Sequence, residues 1–188
     1  MGSDTVCYIK SDLKNKFSYF KFEKDTVFQR NKADKNNNLV FILHGEMEVI
    51  YGDLYPRLIS GGNMILLTPL SRCVCKAVST VELIILGFGT LNHSCDKYIF
   101  QNLTPFFSLI KYEFRELEIR ESLDRFLQLM QNYEQNQVPM ADLASRKIQE
   151  LFIILHAYYT SDEWLCFFIL YWGKIWSSKN WSSTIIYM

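Results

Sequence analysis

The chain has 188 residues, 49% of them hydrophobic and 21% charged, with 20 Lys+Arg balanced by 20 Asp+Glu. That apolar content supports one folded domain with at most a small appendage and excludes disordered and fibrous classes, while a net charge of zero offers no basic field to hold nucleic acid. Five cysteines, at positions 7, 73, 75, 95 and 166, fit neither a disulfide framework nor paired zinc knuckles, so a reducing cytoplasm is the expected location.

Residues 1–16 are of mixed polarity, without the apolar run of a secretory signal. The longest apolar stretch, Trp164 to Trp172, is far shorter than the roughly 20 residues needed to cross a bilayer. No membrane partner is expected. From Phe17 to Phe88 short apolar runs are interrupted by Gly, Asn, Asp and Pro, the pattern of an all-β sandwich or barrel. Phe17 to Phe22 alternates aromatic with polar residues, Leu39 to Leu43 is continuously apolar, and Glu46 to Tyr51 runs into the turn signal Gly52-Asp53. Met64 to Thr68, Cys73 to Val78 and Val81 to Phe88 complete the predicted strands, the last apolar enough to be buried on both faces.

Two of these stretches, Leu39-Val-Phe-Ile-Leu-His-Gly-Glu-Met-Glu-Val49 and Ile59-Ser-Gly-Gly-Asn-Met-Ile-Leu-Leu-Thr-Pro69, resemble the cupin pattern of strand, glycine turn and return strand. The resemblance covers about half the chain and implies a cupin-like β-barrel, a double-stranded β-helix or jelly roll. Metal-binding cupins carry a His-x-His pair. Here His44 is followed by Gly45 and Glu46, so neither a metal, a cofactor nor an enzymatic activity is expected. His93 and Cys95 are too few to fill a zinc shell, and Cys73 and Cys75, two apart on a strand, read as buried thiols on one face. A cupin-type binding protein needs a closed apolar pocket, for which Phe20, Phe22, Phe41 and Tyr51 are the candidate lining residues.

After Pro105 the apolar spacing changes to three and four. Phe106, Phe107, Ile110, Phe114, Leu117, Leu123, Phe126, Leu127 and Met130 predict one amphipathic helix of roughly seven turns ending before Asn136, with nine charged residues between Lys111 and Arg125 on its outer face. Phe114, Leu117, Leu123 and Leu127 form the stripe expected to pair two subunits of a homodimer. A second helix after Pro139 carries Leu143, Ile148, Leu151, Phe152 and Leu155 and ends at Tyr158-Tyr159, completing a helical hairpin. The fold class is thus α+β, a barrel followed by two helices.

A barrel without metal ligands, a charged helix and the segment Lys147, Glu150, Leu151, Phe152, Leu155, Tyr158 and Tyr159 together resemble the sensor half of AraC-type transcription regulators, in particular a Bacteroides-like group. In that family the barrel receives a small effector, the helices dimerise, and downstream helix-turn-helix units read DNA in the major groove. The resemblance divides the chain into an effector-sensing barrel (1–103), a helical dimerisation segment (104–163) and an apolar tail (164–188). Nothing after Tyr159 has the pattern of a DNA-reading unit, so a fragment truncated before it is expected, with a homodimer and a small-molecule effector as partners and no specific DNA binding. A stand-alone cupin-type small-molecule binding protein is the alternative.

All four tryptophans, at 164, 172, 176 and 181, lie in the tail, where Lys174 and Lys179 are the only charged residues. Back-translated with freely chosen codons and read two bases later, Trp164 to Tyr187 gives an uninterrupted string with helical spacing of apolar and charged residues. A one-base shift near Glu163 is therefore expected, and with it a poorly docked tail, helical over Trp164 to Trp172 and irregular beyond Gly173.

Overall fold

Alternation along the strands decides the architecture, because every second side chain must find a different cover. The computed structural model describes residues 6–9, 16–30, 35–52, 55–69, 73–89, 114–139, 143–164 and 166–168. The described strands are β1 (Val6–Ile9), β2 (Lys16–Phe22), β3 (Val27–Arg30), β4 (Asn37–His44), β5 (Glu46–Tyr51), β6 (Arg57–Ser60), β7 (Asn63–Leu67), β8 (Cys73–Ala77), β9 (Val81–Phe88) and β10 (Leu117–Glu118); helices α1 (Glu121–Gln135) and α2 (Ala144–Tyr158) follow. They form two five-stranded sheets, ordered β1-β3-β8-β5-β6 and β10-β7-β4-β9-β2. All pairings are antiparallel except the parallel pair β1 and β3. With the helices, this is the expected α+β, cupin-like fold.

Four of the chain's changes of sheet, between β2 and β3, β4 and β5, β6 and β7, and β8 and β9, lie together and close one end of the barrel. Main-chain hydrogen bonds stitch them together, from Gly61 N–H to Gly45 O at 2.7 Å, Asp25 N–H to Ala77 O at 2.8 Å and Val78 N–H to Glu46 O at 2.8 Å. Gly45 is required there. Its φ is +84°, and a Cβ at this position would lie 2.1 Å from the Thr80 carbonyl oxygen.

Between the sheets lie Phe28, Val40, Ile42, Met47, Val49, Ile65, Leu83, Ile85 and their neighbours, a closed apolar core. The opposite face of the second sheet supplies Leu39, Phe41, Leu66, Ile84, Leu86 and Phe88 to a second core, covered by Leu123, Phe126, Leu127 and Met130 of α1 and Ile148, Leu151 and Leu155 of α2. β4 and β9 are buried on both faces because each separates the two cores. At the free edge of β2, the Glu134 carboxylate accepts the Tyr19 N–H at 2.8 Å, so the end of α1 occupies a strand-edge donor that would otherwise be open to pairing.

Two expectations are corrected. The single helix from Phe106 does not extend through Phe114 and Leu117: residues 114–120 are not helical, and Leu117 and Glu118 form β10. Leu117 pairs with Met64 and Glu118 with Asn63, and the Ile119 N–H donates to Gly62 O at 2.7 Å, so the sheet edge takes the backbone groups a helix would have used. Phe106, Phe107 and Ile110 lie outside the described residues. The helix starts at Glu121 and ends at Gln135, before Asn136 as expected.

The second correction concerns the tail. Residues 161–164 and 166–168 are helical, and Trp164, Phe167 and Phe168 are buried in the second core. Trp164 Nε1–H donates to the Leu155 carbonyl at 2.8 Å, satisfying a group at the end of α2. The expected helix at the start of the tail is present over these residues, and it is docked against the second core rather than loose. Residues 169–188, with the other three tryptophans, and the boundary at 103/104 lie outside the described residues.

Three substitutions test these contacts by urea unfolding. Gly45→Ala should cost at least about 2 kcal/mol, since it combines a left-handed backbone with a clash, whereas Gly52→Ala, at φ +59° with open space around it, should cost about 1 kcal/mol. Trp164→Ala should cost roughly 3–5 kcal/mol, and a change below about 1 kcal/mol would show that the start of the tail adds nothing to the fold.

Candidate functional site at the barrel mouth

The end opposite these four crossings holds the last residue of β5 and the first residues of β6 and β8. Inward residues near this end are Tyr51 on β5 and Cys73 on β8, which face each other across the ladder. Phe114 stacks on Tyr51 with ring centroids 4.6 Å apart and planes 16° apart, and it is 4% exposed. Arg57, at the start of β6, holds the segment that carries Phe114: its guanidinium donates to the Phe114 carbonyl at 2.5 Å and pairs with Glu116 at 3.2 Å.

Deeper in the barrel Phe20, Phe22 and Phe28 make a row, with Phe20 and Phe22 parallel at 5.9 Å and Phe22 and Phe28 parallel at 4.3 Å. Of the four candidate lining residues, Phe20, Phe22 and Tyr51 pack against the interior core. Phe41 does not. It is fully buried, but on the helix-covered face of β4, because its neighbours Val40 and Ile42 take the inward positions. Phe114 is a barrel residue that the helical spacing of its neighbours conceals in the sequence.

The four residues assigned to a subunit interface are likewise redistributed. Phe114 enters the barrel core, and Leu117, Leu123 and Leu127 are buried between sheet and helices. With Leu123 and Leu127 both 0% exposed, they are not available to a second subunit. His44 is exposed at the end of β4, and among the described residues no three His, Cys, Asp or Glu side chains are placed to hold a metal. His93 and Cys95 lie outside the described residues.

From Phe114 the chain runs through β10 directly into a polar junction with the helices. The Tyr159 hydroxyl donates to Glu118 O at 2.6 Å and accepts the Arg120 N–H at 3.2 Å. The Arg120 guanidinium lies 4.5 Å from the Tyr159 ring centroid, donates to the Tyr158 carbonyl and pairs with Glu163 at 2.7 Å. Burial pushes the Tyr159 phenol above its ordinary value, keeping it neutral. Glu163 also closes a capping box on the last helix: it accepts the Thr160 N–H at 2.7 Å, while the Thr160 hydroxyl accepts the Glu163 N–H at 3.3 Å. The Thr160 backbone N–H above all, then the Thr160 hydroxyl and Arg120, hold the Glu163 carboxyl below its ordinary value of 4.5 against the opposing effect of burial. Residues 114–120 therefore join the barrel interior to the end of α2 without a break.

No protein-family model and no curated protein matches the chain. Among solved structures, ToxT from Vibrio cholerae is similar over 91% of this chain, at 13% identity and a TM-score of 0.46. The match covers 59% of the ToxT chain. KdgF from a Halomonas species is similar over 38% of this chain and 67% of its own, at 14% identity and a TM-score of 0.34. A DUF861 family protein from Thermotoga maritima is similar over 38% of this chain and 69% of its own, at 24% identity and a TM-score of 0.27.

The junction has a pH signature. A carboxyl whose folded pKa is depressed contributes stability that is present above its unfolded value and lost as pH falls through the folded one. Glu163→Gln should thus be less stable than wild type at pH 7, and the gap should close as the pH falls below 4.5. A gap that stays constant down to pH 3 would remove the charge of Glu163 from the junction.

Proposed function

We propose that the chain is the effector-sensing part of an AraC-type transcription regulator. The observation that carries this reading is the covalent continuity of residues 114–120, with Phe114 stacked inside the barrel and Glu118 and Arg120 bonded to Tyr159. Tyr159 is also the last residue of the segment that resembles the AraC-type sensors. A ligand entering beside Tyr51 competes with Phe114 for the same ring face, and any shift of Phe114 pulls on the start of α1. Occupancy of the barrel is in this way convertible into helix position, as a sensor requires.

The barrel is read as a binding module and not as an enzyme: its inner wall is aromatic and aliphatic, which suits a small, largely apolar effector. Homodimerisation belongs to the same proposal, through a surface other than the buried stripe; Ile153 and Tyr158, 60% and 52% exposed on α2, lie on the solvent side of the helical pair. DNA reading is not assigned to residues 1–188, whose charges cancel.

A thermal-shift screen of small apolar compounds against the full chain, followed by hydrogen exchange on the hits, tests the proposal. The expected effector protects β3, β5 and β8 and alters exchange in residues 117–135. A stabilising ligand that protects the barrel but leaves 117–135 unchanged would favour a stand-alone binding protein and overturn the sensor reading.

A further inference from the structure

Cys73 and Cys75 occupy the inward face of β8, and their sulfur atoms are 3.7 Å apart. Both are free thiols, 6% and 3% exposed. Their cross-strand neighbours, Tyr51, Val49 and Phe28, bring no charge to the site. The sensor reading makes no use of this pair.

We infer that Cys73 and Cys75 form a two-sulfur clamp for a soft, thiophilic divalent cation of the mercuric type, bound linearly as a neutral bis-thiolate. Three constraints select this chemistry. First, residues i and i+2 of a strand are about 6.6–6.8 Å apart at Cα, the upper limit for a disulfide, whose Cβ atoms must also approach to roughly 3.5–4.5 Å. Direct sulfur–sulfur bonding is therefore strained. A linear S–metal–S unit, with two bonds of about 2.3 Å, needs the sulfurs roughly 4.6 Å apart, so each has to move outward by only about half an ångström from where it stands.

Second, two donors are too few for zinc, which takes four ligands, and no third His, Cys, Asp or Glu joins the pair among the described residues. Sulfur-only coordination selects soft ions. Third, the described cross-strand neighbours of the pair are apolar or aromatic. Two S–H bonds break, two metal–sulfur bonds form and two protons leave to solvent, with no change in oxidation state. A divalent ion then leaves no net charge, whereas a monovalent soft ion such as silver would leave one uncompensated negative charge in the core, which is heavily penalised.

The test is a mercuric titration of the folded full chain in excess 2-mercaptoethanol, a monothiol that outcompetes isolated cysteines but not a preformed pair. Wild type should bind one equivalent. Cys73→Ser and Cys75→Ser should each weaken binding at least 100-fold, with Cys73→Ala and Cys75→Ala as second variants if the hydroxyl unfolds the core, and Cys166→Ser should bind as wild type does. The preference for mercuric over silver ions should exceed that of dithiothreitol, a dithiol in water, by tenfold or more. Failure of the folded wild-type chain to take up one equivalent overturns the clamp, and so does full uptake by either single variant at residue 73 or 75. A metal preference equal to that of dithiothreitol overturns the neutral, apolar site. None of these results depends on the effector or on the helices.

Discussion

The second sheet is apolar on both faces, and most of the molecule follows from covering it twice. β4 and β9 send alternate residues to opposite sides: Val40, Ile42, Leu83 and Ile85 face the first sheet, while Leu39, Phe41, Ile84 and Leu86 face the helices. Neither face can be left to water, since each large aliphatic side chain exposed forfeits roughly 1.5–3 kcal/mol. The first sheet closes one side into a barrel. Helices α1 and α2 and the helix that begins at Ser161 close the other, so barrel and helices form one folded unit.

That requirement explains where the junction sits. The chain leaves the barrel at Phe114, adds Leu117 and Glu118 to the edge of the second sheet, and turns into α1 at Glu121. The same seven residues meet the end of α2, where Tyr159 and Arg120 exchange hydrogen bonds and a ring contact. Arg120 then reaches Glu163, whose capping box starts the last helix and places Trp164 over the Leu155 carbonyl. Phe114 is thus joined to the helical layer by a continuous series of bonded and packed groups.

Tyr51, Phe114 and the thiol pair share one wall of the barrel interior. Tyr51 gives Phe114 a ring face, and Cys73 stands directly across from Tyr51 in the ladder. The groups that meet there are weakly polar rings and thiols, with the Arg57 guanidinium bonded to the Phe114 carbonyl beside them.

The strands with a strict period of two, or with continuous apolar runs, were legible directly: Phe17–Phe22, Leu39–Leu43, Glu46–Tyr51, Met64–Thr68, Cys73–Val78 and Val81–Phe88 all lie on or overlap observed strands. So were the ends of α1 before Asn136 and of α2 at Tyr158. Short strands such as Val27–Arg30 and Arg57–Ser60 carry too few residues to show a period, and they exist because their neighbours offer unpaired backbone groups. Face assignment was decided only by packing. In a strand buried on both sides nothing in the sequence says whether Phe41 or Val40 points inward, and the barrel takes the second. Between Phe114 and Leu127 the apolar spacing suits one helix, but the open edge of β7 captures Leu117 and Glu118. The apolar character of Trp164, Phe167 and Phe168 was plain in the sequence; that they are buried follows from the uncovered face of the second sheet, a surface that exists only once residues distant in the chain have come together.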